Sequence, residues 1–190
     1  ETIQYGPRIK SAAVFLNQWH NLPYLRTTEI IESLLHVSIS EGTLRNWIEK
    51  AANLVRPKVE IIKQIVLASS VVHADESGIR IAKKLHWLHT LATNIVTWYG
   101  VHCKRGMEAI KAFDILPHYR GILVHDCFSP YWKLLCQHAL CNTHLLRELK
   151  YIAETTKQEW PEQMAKSLVA SNKLRLEADR RGEPLSTEAI

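Results

Sequence analysis

Apolar residues recur at helical spacing through the first third of the chain, and then the period changes. Ile9, Ala13 and Leu16 share one helical face, and the Leu22-Pro23 pair stops that helix. Thr28 is placed to cap a second helix that runs to Leu35. After Val37-Ser38-Ile39-Ser40, the residues Leu44, Ile48, Ala51 and Val55 repeat at i, i+4, i+7 and i+11, which predicts a third helix. Pro57 then opens a fourth, short helix that ends near Ser69. From Val71 the pattern is that of strands. Val71-Val72-His73-Ala74-Asp75 reads as a buried strand ending at a carboxylate. Residues 85–93 and 95–103 are rich in β-branched and aromatic side chains and read as an antiparallel pair joined near Asn94. Helical spacing returns over residues 106–116, with Ile110 and Phe113 on one face, until Pro117. Residues 121–125 form another short apolar strand, which runs directly into Asp126.

A short amphipathic turn of helix (Tyr131, Leu134, Leu135) leads to a short strand over residues 138–141. Asn142 or Thr143 can cap a helix whose apolar face is Leu145, Leu146, Leu149, Ile152 and Ala153. A last helix covers residues 161–181, with Pro161 at its first position and Gly182 past its end. The order after the helical start is β-β-β-α-β-α-β-α. With right-handed crossovers, this is an α/β mixed sheet of the RNase H-like type. Three regions follow: a helical region over 1–69, a partial RNase H-like core over 70–155, and the start of a helical insertion over 156–190.

Composition narrows the class without naming it. A hydrophobic fraction of 46% with 23% charged residues is that of an ordinary globular chain and excludes a disordered one. The net charge is +5, with +2 in residues 1–66, +3 in residues 67–135 and none in the remainder. The basic excess thus sits where phosphate contacts belong if nucleic acid is the partner. Four cysteines without a C-x-x-C pair point to a reducing, cytoplasmic setting, nucleoid-associated in a bacterium. No apolar run approaches the roughly 20 residues of a membrane span, so no membrane partner is expected.

Asp75 and Asp126, 51 positions apart, each follow a run of four or five apolar residues. If their strands are parallel neighbours about 4.8 Å apart, the two carboxylates can bracket a divalent cation. Two-metal phosphoryl transfer requires hard oxygen ligands of this kind. An aspartate at a strand end is also a common turn former or helix cap, and the pattern alone leaves both readings open.

Several ordered segments go further. Tyr5-Gly6-Pro7-Arg8, Ile39-Ser40-Glu41-Gly42-Thr43-Leu44, His73-Ala74-Asp75-Glu76-Ser77-Gly78, Trp87 and Arg105-Gly106 are the first of them. Tyr119-Arg120-Gly121-Ile122-Leu123-Val124-His125-Asp126, Tyr131 and the run from His138 through Leu149 complete the set. Together they resemble, in order, the transposases of the insertion sequence 66 family. The resemblance implies a DDE-type enzyme that uses three acids and Mg²⁺ (or Mn²⁺) to cleave transposon ends and join them to target DNA. It implies that Asp75 is the first acid and Asp126 the second. The third, a glutamate, is expected downstream of a helical insertion, beyond Ile190, so that the 190 residues alone are expected to be inactive.

The remaining candidates each carry two readings. Glu76 is expected to support the site structurally rather than to bind metal. Glu148, on the helix after the last strand, could complete a nuclease site, but its neighbours Arg147 and Lys150 favour an exposed face. His138, Cys141 and His144 form an H-x2-C-x2-H string, which lacks the second pair a structural zinc site needs. Cys141-x-x-His144 resembles the C-x-x-H string that follows the second acid in several DDE transposases, which implies a place for His144 near the scissile phosphate. Residues 28–55 have the proportions of a helix-turn-helix, with Arg45, Asn46 and Lys50 free to reach DNA. Lys104 and Arg105 join them as expected DNA contacts. The six tryptophans are expected to pack the core. His73 should share a strand face with Asp75, and His125 should lie opposite Asp126. A non-catalytic DNA-binding module is the competing reading. The partners expected are DNA, as transposon ends and as target, and a second copy of the chain.

Overall fold

The computed structural model describes residues 5–182. The chain divides into two compact units, residues 1–61 and 62–190. Residues 183–190, the end of the expected insertion, lie outside the described residues.

The first unit is helical. It comprises α1 (Pro7–Gln18), α2 (Tyr24–Leu35) and the first part of α3 (Glu41–Ala68). Ala13, Ile31, Ile39, Leu44 and Trp47 form its buried core, and Tyr5 meets Trp47 edge-on with ring centroids 5.2 Å apart. α2 starts a full turn earlier than the sequence suggests, because Pro23 already supplies the N-cap position. Thr28 is therefore no cap. It lies inside the helix, and its hydroxyl donates back to the Leu25 carbonyl at 2.8 Å. Ser40 does cap α3, its hydroxyl accepting the Thr43 amide at 3.0 Å.

The expected break at Pro57 is absent, and α3 runs through it as one helix of 28 residues. Proline removes a single amide donor. The turns that follow are held by Ile62, Val66 and Leu67, which pack into the core of the second unit.

The second unit is a five-stranded mixed sheet in the order β3-β2-β1-β4-β5. β1 (Val71–Ile81) is central, with β2 (Lys84–Ala92) and then β3 (Thr97–His102) antiparallel on one side. β4 (Ile122–His125) and then β5 (Gln137–Leu140) are parallel on the other. β1 does not end at Asp75. It continues for six residues as a hairpin arm against β2, turning at Ala82 and Lys83, both with φ positive. The Glu76-Ser77-Gly78 run lies beyond the expected strand end, and pairing with residues 87–89 keeps it extended. The helix expected between β4 and β5 is a single 3₁₀ turn, Tyr131–Lys133.

α4 (Met107–Phe113) buries Ala109 and Ile110. Val72, Ala74, Leu91, Trp98, Leu123 and Tyr131 are among the buried residues of the core. Gly100 is required there, since a methyl group would run into the rings of Trp98 and Phe113. α5 (Asn142–Thr156) and α6 (Trp160–Arg181) pack against each other, and Gly182 ends α6 at φ 68°.

Neither Asn142 nor Thr143 caps α5; Cys141 takes that position. Its amide still bonds the His125 carbonyl at 2.8 Å, while its own carbonyl accepts the His144 and Leu145 amides. Strand and helix thus share one residue. Not every tryptophan packs the core either: Trp47 and Trp98 are buried, but Trp19, Trp132 and Trp160 are exposed.

Candidate active site

The site is built on the parallel seam between β1 and β4. Their last register pair is His73 with Val124; Asp75 lies two residues further along β1, and Asp126 directly follows His125, the last residue of β4. Parallel neighbours lie about 4.8 Å apart, so the two acids follow the same end of adjacent strands. Along β1, Val72, Ala74 and Glu76 are buried while His73, Asp75 and Ser77 are exposed. Asp75 and His73 therefore stand on the open face, and Glu76 points into the protein.

Backbone amides fix both acids. Asp75 Oδ1 accepts the Glu76 amide at 2.8 Å, and Asp126 Oδ1 accepts the Phe128 amide at 3.0 Å. One oxygen of each carboxylate is tied down, and its mate is the one available to a cation.

Behind Asp126 the fully buried His125 ring meets the Asp126 carbonyl through Nδ1 and lies 3.1 Å from His138 Nδ1 through Nε2. His138 Nε2 in turn lies 3.3 Å from the Leu134 carbonyl. Burial pushes the His125 pKa down, against the opposing pull of its bond to the Asp126 carbonyl.

Glu76 is the group that sequence reasoning placed only vaguely. Its side chain is 1% exposed, and it accepts a 2.8 Å ion pair from Arg105 Nε. Its second oxygen accepts the Tyr131 hydroxyl at 2.5 Å. Burial, and then Glu76, raise the Tyr131 pKa far above that of a free phenol. The Arg105 guanidinium lies 4.1 Å from the Phe128 ring centroid and 5.0 Å from that of Trp87, and its Nη2 is 4.0 Å from Asp126 Oδ2. The partners lie 29 and 55 positions apart, so no local motif announces them. One signal was available: a carboxylate in phase with Val72 and Ala74 on a buried strand face must find a partner.

The H-x2-C-x2-H string divides. His138 serves His125, while the Cys141 thiol acts on the His144 ring, whose buried Nδ1 has no hydrogen-bond partner among the described residues. The thiol is the largest influence raising the His144 pKa; burial opposes it, and the Asp75 and Asp126 carboxylates add to it. Burial pushes the Cys141 thiol up, but His144 outweighs this and leaves its pKa below the ordinary value. His144 therefore senses both acids. Glu148, one turn further along α5, is exposed, and nearby Lys150 pairs with Glu154 at 3.9 Å instead. Among the described residues, no three His, Cys, Asp or Glu side chains converge on a metal-sized point.

Of the expected DNA contacts, Lys104 is exposed in the loop before α4, whereas Arg105 is half-buried in the arrangement above. Arg45, Asn46 and Lys50 lie together on the exposed side of α3, where Arg45 pairs with Glu49 at 3.0 Å. Lys50 also borders an apolar groove of about 620 Å³ whose walls include Val14, Phe15, Trp19, Trp47 and Leu54. No helix among the described residues is long and apolar enough to cross a membrane, and all four cysteines are free thiols.

Among solved structures, a chain of the simian T-cell lymphotropic virus intasome in complex with PP2A regulatory subunit B56 gamma is similar at 11% identity and a TM-score of 0.32. The match covers 53% of this chain and 48% of that one, so this chain spans about half that chain's length. No curated protein matches. The family model described as Transposase IS66 family matches residues 2–184, nearly the whole sequence, and the chain belongs to that family.

Proposed function

We infer that this chain carries the metal-dependent centre of a DNA transposase built on an RNase H-like sheet, with Asp75 and Asp126 as its first two acids. The supporting observation is the parallel pairing of β1 with β4, whose last pair, His73 with Val124, stands two residues before each acid. The enzyme's reaction is DNA strand cleavage and the joining of the freed end to target DNA.

The donor set fits a hard divalent cation, Mg²⁺ or Mn²⁺: two carboxylates, each with one oxygen already fixed by a backbone amide. Asp75 and Asp126 would hold it, and when bound it supplies positive charge that stabilises a phosphoryl group in its transition state. The protein's own contribution is preorganisation. The Glu76 and Phe128 amides set the carboxylate orientations before any substrate arrives, so no reorganisation is needed during reaction. His144, whose pKa is raised by the Cys141 thiol and then by the acids, is assigned as the group that donates a proton to a phosphate oxygen. Arg45, Asn46 and Lys50 on α3, together with Lys104, are assigned to hold DNA, the α2–α3 pair acting as a helix-turn-helix.

An excision assay on a marked insertion element tests the reading. With Asp75→Asn or Asp126→Asn in the enzyme, excision falls by orders of magnitude. Excision at the unmutated rate in either variant refutes the assignment. Glu148→Gln, run beside them, leaves excision intact, whereas loss equal to that of Asp75→Asn would make Glu148 the third acid of an RNase H-like nuclease.

A further inference from the structure

We propose that Arg105 is a prebuilt phosphate anchor for the DNA strand that enters the acid pair, and that Glu76, Tyr131, Trp87 and Phe128 form the cage that aims it. The proposal rests on the reading of Asp75 and Asp126 as the acids of a DNA-processing centre, and it adds a binding site to that centre.

The geometry divides the guanidinium into two ends. Its Nε is committed to Glu76 at 2.8 Å, and that carboxylate is 1% exposed. Glu76 cannot swing away, because Tyr131 donates to its other oxygen at 2.5 Å. The guanidinium also lies within cation–π range of Phe128 and Trp87, at 4.1 and 5.0 Å, which fixes its plane. The outer end is different. The Nη atoms make no hydrogen bond to a described residue, and Asp126 Oδ2 is 4.0 Å from Nη2, too far for one. The side chain as a whole is 39% exposed.

An arginine needed only to neutralise Glu76 would have no reason to stay partly in water beside the acids. A planar fork with its rear edge pinned and its front edge open matches the oxygens of a phosphodiester, which it can grip with two parallel N–H···O bonds. The buried Glu76 charge orients the fork without screening its solvent side. The nearby Asp126 charge is the one a divalent cation would neutralise, so the anchor and the acids suit the same polyanion.

The test uses the 190-residue chain and a labelled duplex oligonucleotide, with affinity followed by fluorescence anisotropy across a range of KCl concentrations. Arg105→Gln should bind about tenfold more weakly. Its slope of log affinity against log salt should be shallower by about 0.9, one phosphate contact. Arg105→Lys keeps the charge and therefore the slope, but loses several-fold in affinity because an ammonium neither stacks nor forks.

Glu76→Gln is the decisive variant. Removing a negative charge from a DNA-binding protein tightens binding if only the overall field matters, whereas an unaimed Arg105 weakens it. If Glu76→Gln does not fold, Trp87→Leu removes one wall of the cage and no charge, and it too should weaken binding. Three results would overturn the anchor: wild-type affinity and slope in Arg105→Gln, tighter binding in Glu76→Gln, or no DNA binding by the unmutated chain. Mn²⁺ binding without DNA reports separately on Asp75 and Asp126, so the anchor and the acid pair can fail independently.

Discussion

Replacing Tyr131 by phenylalanine removes one oxygen atom and should destabilise the sheet unit disproportionately. The ring stays, so the 2% exposed side chain leaves no cavity of consequence. What disappears is the donor 2.5 Å from a Glu76 oxygen whose side chain is 1% exposed. Water cannot replace that donor without opening the core. A charge-assisted bond of this kind contributes about 1.5–3 kcal/mol, and leaving a buried charged acceptor unsatisfied costs at least as much. For a chain of this size, 1 kcal/mol moves the midpoint by roughly 2–4 °C, so Tm should fall by roughly 3–12 °C.

Urea denaturation followed by ellipticity measures the free energy directly. A cycle with Glu76→Gln should show coupling of more than about 1 kcal/mol between the two sites. The pH dependence has a definite sign. The folded Tyr131 holds its proton above the ordinary phenol pKa of about 10, because of burial and then Glu76. Its contribution is complete below about pH 10 and is lost as pH rises beyond that, because only the unfolded chain releases the proton there. Tyr131→Phe should flatten that alkaline decline. A midpoint within about 0.5 kcal/mol of wild type, with an unchanged alkaline limb, would refute the reasoning.

Other consequences can be measured as simply. Gly121→Ala sets a methyl group against the Tyr119 hydroxyl and 2.6 Å from the Ser70 backbone carbonyl, and it should cost about 1–3 kcal/mol by urea denaturation. The Cys141 thiol, lowered because His144 outweighs burial, should alkylate at lower pH than Cys136, which burial pushes up; mass spectrometry of the chain treated with iodoacetamide orders the two. The His144 imidazole should titrate above the ordinary value in NMR and fall back in Cys141→Ala, that thiol being the largest cause of the rise.

Which parts of this structure could be read from the chain follows from how far each interaction reaches. Strand alternation placed His73 with Asp75 and Glu76 on the other face, because it rests on the near-neighbour geometry of extended chain. The length of β1 was hidden, because Glu76-Ser77-Gly78 stays extended only through pairing with β2. Pro57 misled for a related reason: a helix interrupted locally is held by burial of Val66, nine residues further along the chain. The Arg105–Glu76–Tyr131 set spans three elements, and only the folded sheet brings it together. Cys141 and His144, by contrast, are three residues apart, and their C-x-x-H string stood out in the sequence, though not the action of the thiol on the ring.

The central claim is that Asp75 and Asp126 together hold a divalent cation. Titration of the chain with Mn²⁺, followed by electron paramagnetic resonance of the free ion, tests it most directly. The account predicts one saturable site in the unmutated protein, lost in Asp75→Asn and in Asp126→Asn while both variants keep the wild-type fold by circular dichroism. Undiminished Mn²⁺ binding in either variant would contradict it.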